Sequence, residues 1–269
     1  METAYENLGD ESGGIEHEYG EGVHILSEPY SMSLLSELCQ PGTSQPRFND
    51  LLDTVYRILL QRMLAQELPR TVIECDTNMK QYSPLGVFRG QVIDRASRAV
   101  TVNVARAGTI PSHICQQLLH QVLDPEGVRQ DHVTMERTVD EKGAVTGAEL
   151  YGTKIGGDIE GRFLLFPDPM GATGSSLLRV IQHYQEQVEG NPAAIITAHL
   201  IVTPEYIRHM TSQLPGIKIW TLRLDRGASP AEVLGMIPGS DSRESGLNEV
   251  DYIVPGAGGV GEIINNSWI

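Results

Sequence analysis

Arg162-Phe163-Leu164-Leu165-Phe166-Pro167-Asp168-Pro169-Met170-Gly171-Ala172-Thr173-Gly174-Ser175-Ser176 begins as an apolar run of strand length and ends in a turn rich in glycine and hydroxyl residues. A helical pattern follows over 176–188. A loop between strand and helix points several backbone N–H groups at one spot, and the helix N-terminus adds partial positive charge there. Glycines at 171 and 174 let the backbone approach an anion closely, and Thr173, Ser175 and Ser176 add hydroxyl donors. Such a turn cradles a phosphate. Asp168, at the strand end, is placed to accept from sugar hydroxyls. A Gly/Ser/Thr-rich turn alone also reads as an ordinary helix N-cap; the acid at the strand end moves the balance toward a ribose-phosphate site.

Outward from this loop the pattern alternates. Ala99–Ala105 is a β-branched strand ending at Arg106-Ala107-Gly108, and a helix is expected from about Pro111 to Val122. Further strands are expected near Thr71–Cys75, His132–Arg137, Ala194–Val202 and Ile217–Leu224, with a helix over Pro204–Gln213. Upstream, Leu51, Leu52, Val55, Leu59, Met63 and Leu64 form one stripe of a helix over Phe48–Leu68, and a shorter helix near Met32–Leu38 precedes it. The segment Pro84–Ile93 reads as extended, as one side of a hairpin arm. Strands alternating with helices imply an α/β fold, a mostly parallel sheet with helices on both faces. Ligands of such sheets bind at the carboxyl ends of the strands. Arg106 and Arg137 both follow strands and belong on that rim.

The 269 residues carry a formal net charge of −15, which argues against a nucleic-acid partner. Residues 1–22 hold seven acids and no Lys or Arg. That segment reads as a disordered acidic tail, leaving 23–269 as a single domain. No apolar run has the length of a membrane helix, and no basic start with an apolar run marks export. Cys39, Cys75 and Cys115 show no CxxC spacing and read as reduced, mostly buried thiols of a cytoplasmic protein.

Asp168-Pro169-Met170-Gly171-Ala172-Thr173-Gly174-Ser175-Ser176 resembles the 5-phosphoribosyl-1-diphosphate (PRPP) loop of uracil phosphoribosyltransferases, in which Asp-Pro stands where related transferases have two acids. Arg106-Ala107-Gly108 is similar to the family's diphosphate loop. Met135-Glu136-Arg137 resembles its Met-Tyr-Arg, and Tyr151 and Lys154 lie at the family's distance before the PRPP loop. Gly246-Leu247-Asn248-Glu249 and Tyr252-Ile253-Val254-Pro255-Gly256 resemble the segments that build the uracil pocket. The resemblance runs from about 27 to 264. It implies a type I phosphoribosyltransferase fold with a β-arm and a small hood over the base site. It also implies conversion of uracil and PRPP to UMP and diphosphate, with Mg²⁺ bound mainly through PRPP and no dedicated protein metal site. Arg106, Arg137 and Asp168 would be catalytic, residues 168–176 with both arginines would hold PRPP, and Ile253, Gly258, Gly259 and Val260 would read uracil. A homo-oligomer is expected.

Two features depart from the family pattern. About 19 residues, Ala228–Gly246, separate Asp225-Arg226-Gly227 from Leu247-Asn248-Glu249 and read as a lid or an oligomer contact. Gly259 replaces the family's PRPP-touching aspartate, and Glu262 supplies an acid three positions later. The alternative this raises is an inactive paralogue that binds UMP or PRPP as a regulator. Other chemistries find less support. Gly256-Ala257-Gly258-Gly259-Val260-Gly261 fits GxGxxG, but the chain after it is too short for the βαβ unit that a dinucleotide site needs. His113, His120, His132, His183, His199 and His209 show no metal spacing with acids and take packing or surface roles. Cys115 reads as a buried helix residue, with no environment that would activate a thiolate.

Overall fold

The computed structural model describes residues 14–139 and 145–267. In chain order come β1 (Val23–Ile25), α1 (Pro29–Leu38), α2 (Arg47–Glu67), β2 (Arg70–Asp76), β3 (Val87–Ile93), β4 (Ala99–Ala105) and α3 (Thr109–Val122). They are followed by β5 (Val128–Val139), β6 (Val145–Lys154), β7 (Phe163–Pro167), β8 (Met170–Gly171) and α4 (Ser175–Gln187). The last elements are β9 (Ala194–Val202), α5 (Pro204–Gln213), β10 (Lys218–Leu224), α6 (Ala231–Leu234) and α7 (Val260–Asn265).

Eight strands make one sheet in the order β1-β10-β9-β7-β4-β5-β6, with β8 beside β9. All pairings in it are parallel except β5–β6. The two-residue alternation of the strands feeds two cores. On β7, Leu165 joins α1, α2, α3 and α7 on one face, while Leu164 and Phe166 join α4 and α5 on the other. The expected stripe of α2 is buried throughout. β2 and β3 pair antiparallel as a separate two-stranded arm. The sequence reading did not anticipate β1 or β6. β1 has three residues, too few for periodicity to show, and β6 is interrupted by Gly147 and Gly152.

The acidic tail expected over 1–22 falls partly outside the described residues, which begin at 14. Residues 14–22 differ from the expectation of disorder. Ile15 N–H donates to the Ile25 carbonyl at 3.1 Å and Glu18 N–H to the Pro238 carbonyl at 2.7 Å. The Tyr19 ring packs on the second core, and its hydroxyl donates to Glu244 at 2.6 Å. Composition counted few apolar residues here, but one amphipathic tyrosine with a buried partner is enough to anchor the segment. Of the cysteines, Cys115 is buried, Cys39 half-buried and Cys75 exposed on the arm; all are free.

Candidate active site

The ladder between β7 and β9 ends at the pair Pro167–Ala198 and resumes as β8–β9 at Met170–Ile201. Asp168 and Pro169 fill the interruption at the carboxyl end of β7. One Asp168 carboxylate oxygen accepts the Met170 N–H at 3.1 Å. Burial pushes the Asp168 carboxyl up to about 6, and that single N–H opposes the shift.

Beyond Asp168 the loop carbonyls are tied outward. Gly171 C=O accepts the Thr203 N–H at 3.0 Å, Ala172 C=O the Thr203 hydroxyl at 2.7 Å, and Thr173 C=O pairs with His209 Nδ1 at 2.8 Å. The N–H groups of Ala172, Thr173, Gly174 and Ser176 take no protein acceptor among the described residues. They lie at the start of α4, whose N-cap Gly174 has φ 79° and no side-chain cap. An anion is the natural partner of such a nest. Gly171 is required by proximity: a Cβ there would lie 2.9 Å from Val202 Cγ1 and 3.0 Å from the Tyr206 ring.

Arg106 follows β4, next to this loop. A Cβ on Gly108 would lie 3.2 Å from the Pro167 carbonyl oxygen, so the two loops are in contact. The Arg106 guanidinium is half-exposed and lies 3.8 Å from Glu262 on α7. It also reaches Ser267 at 3.3 Å. The carboxylate of Glu262 occupies the space beside Gly259, 2.7 Å from where a Cβ would stand. The acid three residues downstream therefore fills the side-chain place that Gly259 leaves empty. Arg137 lies on β5 opposite Ala148 of β6; its side chain lies outside the described residues.

Residues 246–258, between α6 and α7, are the segment expected to form the hood. Leu247 bridges Ile253, and Asn248 closes the turn between them by accepting the Tyr252 N–H at 2.9 Å. Gly256 is gripped at both peptide groups: its N–H donates to Asp225 at 2.8 Å, and its C=O accepts from Arg223 at 3.1 Å. Arg223 in turn pairs with both Asp225 oxygens. The N–H and C=O of Ile253 and the N–H groups of Gly258 and Gly259 have no protein partner among the described residues. Val260 stands differently from the two glycines before it. Its N–H is taken by the Gly258 carbonyl at 3.0 Å, and its side chain is buried in the core.

Comparison with known proteins fixes the lineage. The family model described as uracil phosphoribosyltransferase matches residues 25–240. The chain belongs to the uracil phosphoribosyltransferase family. It is therefore an enzyme of the pentosyltransferase class. A uracil phosphoribosyltransferase of Variovorax paradoxus is 28% identical over 242 residues, covering 90% of this chain and 97% of that protein. One of Dictyoglomus thermophilum is 25% identical over 240 residues, covering 89% and 97%. Among solved structures, the AQ2163 protein of Aquifex aeolicus superposes with a TM-score of 0.66 at 18% identity, over 90% of this chain and 97% of that one. The architecture is that of the type I phosphoribosyltransferases, as the sequence motifs imply.

Within this family member, the structure brings Asp168, residues 169–176 and Arg106 to one rim, with Glu262 beside them. Sequence reasoning missed the residues that hold these segments: Thr203 and His209 on the loop carbonyls, His199 on the Asp168 carbonyl, Tyr206 beside Gly171 and Gly174, and Arg223 with Asp225 on Gly256. Only Thr203 left a local signal, a Thr-Pro helix start whose hydroxyl caps the Tyr206 N–H at 3.0 Å. The insertion is closed at its neck, where Ala228 N–H donates to the Ser245 carbonyl at 3.0 Å. It is pinned by Glu244, whose fully buried carboxylate pairs with Arg226 at 2.6 Å and Arg208 at 3.1 Å. Among the described residues no helix is long and apolar enough to cross a membrane.

Proposed function

We propose that the chain converts uracil and PRPP to UMP and diphosphate. The bond between the ribose anomeric carbon and the diphosphate oxygen breaks, a bond from that carbon to a uracil ring nitrogen forms, and the nitrogen loses its proton. The observation that carries the reading is the 171–176 loop, with carbonyls tied outward and free amides at a helix start, one step from the Asp168 carboxylate. The loop holds the 5-phosphate, and Asp168 accepts from the ribose hydroxyls. Arg106 and Arg137 neutralise the leaving diphosphate, for which a forked guanidinium is suited. Charge develops on both sugar and leaving group, so the protein acts mainly by positioning and electrostatic stabilisation.

The hood's backbone supports uracil as the base. The free Ile253 C=O can accept from the uracil N3–H, and the free amides of Gly258 and Gly259 can donate to its carbonyl oxygens. Cytosine, with an unprotonated N3 and an amino group, leaves these groups unpaired. Discrimination on the order of 10⁴ is expected of such a site. Mg²⁺ suits oxygen donors, and the rim offers the carboxylates of Asp168 and Glu262, which fits an ion carried mostly by substrate oxygens and water. When bound, it supplies charge neutralisation at the diphosphate. The exposed apolar side chains of the arm, Val72, Met79 and Leu85, support a homo-oligomer, and the free thiols support a cytoplasmic setting.

Steady-state kinetics with uracil, cytosine and hypoxanthine test this reading. Turnover with uracil alone is expected. Equal rates with cytosine remove the uracil assignment. Tight UMP binding without turnover on any base favours the regulatory alternative, which Gly259 motivates.

A further inference from the structure

The interruption between β7 and β9 leaves the Asp168 carbonyl without a strand partner, and a side chain takes it. His199 Nδ1 lies 2.6 Å from that oxygen. On the other side of the ring, Nε2 lies 2.7 Å from the Tyr206 hydroxyl, which is 3.3 Å from Thr197 Oγ1. All three side chains are buried, at 0%, 1% and 0% exposure for His199, Tyr206 and Thr197. The proton positions follow from chemistry. A carbonyl only accepts, so Nδ1 carries the hydrogen. Nε2 of a neutral ring then accepts, so Tyr206 donates to it. The Tyr206 oxygen is left as the acceptor for the Thr197 hydroxyl. Every polar group is satisfied once, and only with a neutral imidazole. Burial lowers the His199 pKa to about 3, in keeping with that state. The Tyr206 ring also floors the substrate loop: it lies 3.0 Å from a Cβ built on Gly171 and 3.2 Å from one built on Gly174.

We propose that His199 and Tyr206 are positioning residues for the phosphoribosyl loop, a buried one-way chain from Thr197 through Tyr206 and His199 that fixes the Asp168 peptide and seats the loop glycines on an aromatic ring. This rests on the proposed reading of that loop. The chain acts on the half of the site that holds PRPP, not on the hood that reads the base.

The test compares wild type with His199→Asn, His199→Gln, His199→Leu and Tyr206→Phe, with PRPP and uracil varied separately. An asparagine amide stands near the place of Nδ1, a glutamine amide near that of Nε2. His199→Leu is expected to lower kcat/KM for PRPP roughly tenfold or more, the scale of one lost backbone hydrogen bond, with KM for uracil little changed. His199→Asn restores most of the loss and His199→Gln does not; Tyr206→Phe falls between. Wild-type PRPP kinetics in His199→Leu, or equal rescue by Asn and Gln, overturns the proposal. So does a loss that falls equally on uracil and PRPP and follows the folded fraction. Calorimetry with ribose 5-phosphate reads the loop without turnover. If wild type binds it but forms no UMP, the reaction assigned above fails, while the ranking of the variants in binding still decides the positioning role. No binding by wild type overturns both.

Discussion

Asp168 is held in the folded chain at a cost to stability, which its proposed ligand role explains. Its carboxyl titrates near 6 instead of its usual 3.8, because burial disfavours the charge. The folded state therefore keeps a proton that the unfolded chain releases between about pH 4 and 6, and stability falls as pH rises through that window. At neutral pH the charged group costs the fold up to about 3 kcal/mol, since each pKa unit is worth about 1.4. Asp168→Asn is accordingly expected to raise the melting temperature at pH 7 while weakening PRPP binding, because it keeps the acceptor for Met170 N–H and loses the charge. Thermal melts at pH 4 and pH 7 with PRPP calorimetry check both halves; a lower melting temperature at pH 7 with unchanged affinity removes Asp168 from the site. This residue was legible in the sequence because its chemistry is local: an acid, a proline and two glycines between a strand and a helix. His199, five residues into an ordinary-looking strand, was not legible. Its role depends on which carbonyl an interrupted ladder leaves free.

Helix α7 places Glu262 where Gly259 has no side chain, and the pair with Arg106 at 3.8 Å is half-exposed. Pairs of that kind contribute about 0–1 kcal/mol to stability, so the contact does little for the fold, and an effect on substrate is the informative readout. Glu262→Gln is expected to raise KM for PRPP or the Mg²⁺ requirement with little change in melting temperature. Normal PRPP kinetics in that variant end the idea that Glu262 stands in for the absent aspartate. Arg106→Ala and Arg137→Ala are expected to slow UMP formation far more than they lower stability; a variant that mainly unfolds, with normal turnover in its folded fraction, marks its arginine as structural. The strands that lead to Arg106 and Arg137 were legible from periodicity, and so was the rim on which Arg106 sits, whereas β6 beside Arg137 and the short helix carrying Glu262 were not. Gly258, Gly259 and Val260 were grouped as backbone readers of the base, yet the Val260 N–H is spent on the Gly258 carbonyl and its side chain lies in the core. A glycine-rich run shows where backbone can approach a ligand and does not show which amides the next helix consumes.

Across the whole molecule, parallel order and layer arrangement follow from the alternation of elements, whereas the seat of the N-terminal segment does not. Tyr19 reaches Glu244 across 225 residues of sequence, and no local pattern encodes a contact of that span. The carboxylate it meets is fully buried between Arg208 and Arg226. Breaking such a buried cluster by removing one partner typically costs about 3–5 kcal/mol, and losing a neutral hydroxyl donor costs less, about 1–3. Deleting residues 1–13 is expected to leave melting temperature and turnover unchanged, because that stretch is acidic and poor in apolar residues. Deleting 1–22 removes Tyr19 and is expected to lower the melting temperature measurably. Equal melting temperatures for the two truncations would show that Tyr19 contributes nothing. β1 pairs with β10 in the same way, Val23 opposite Ile219, so the strand at one edge of the sheet is joined to it from the far end of the chain. Synthesis runs the other way. Residues 15–25 emerge from the ribosome when β10 and the insertion do not yet exist, and contacts of long sequence separation form slowly. The first described residues to leave the ribosome are therefore among the last to find their seats.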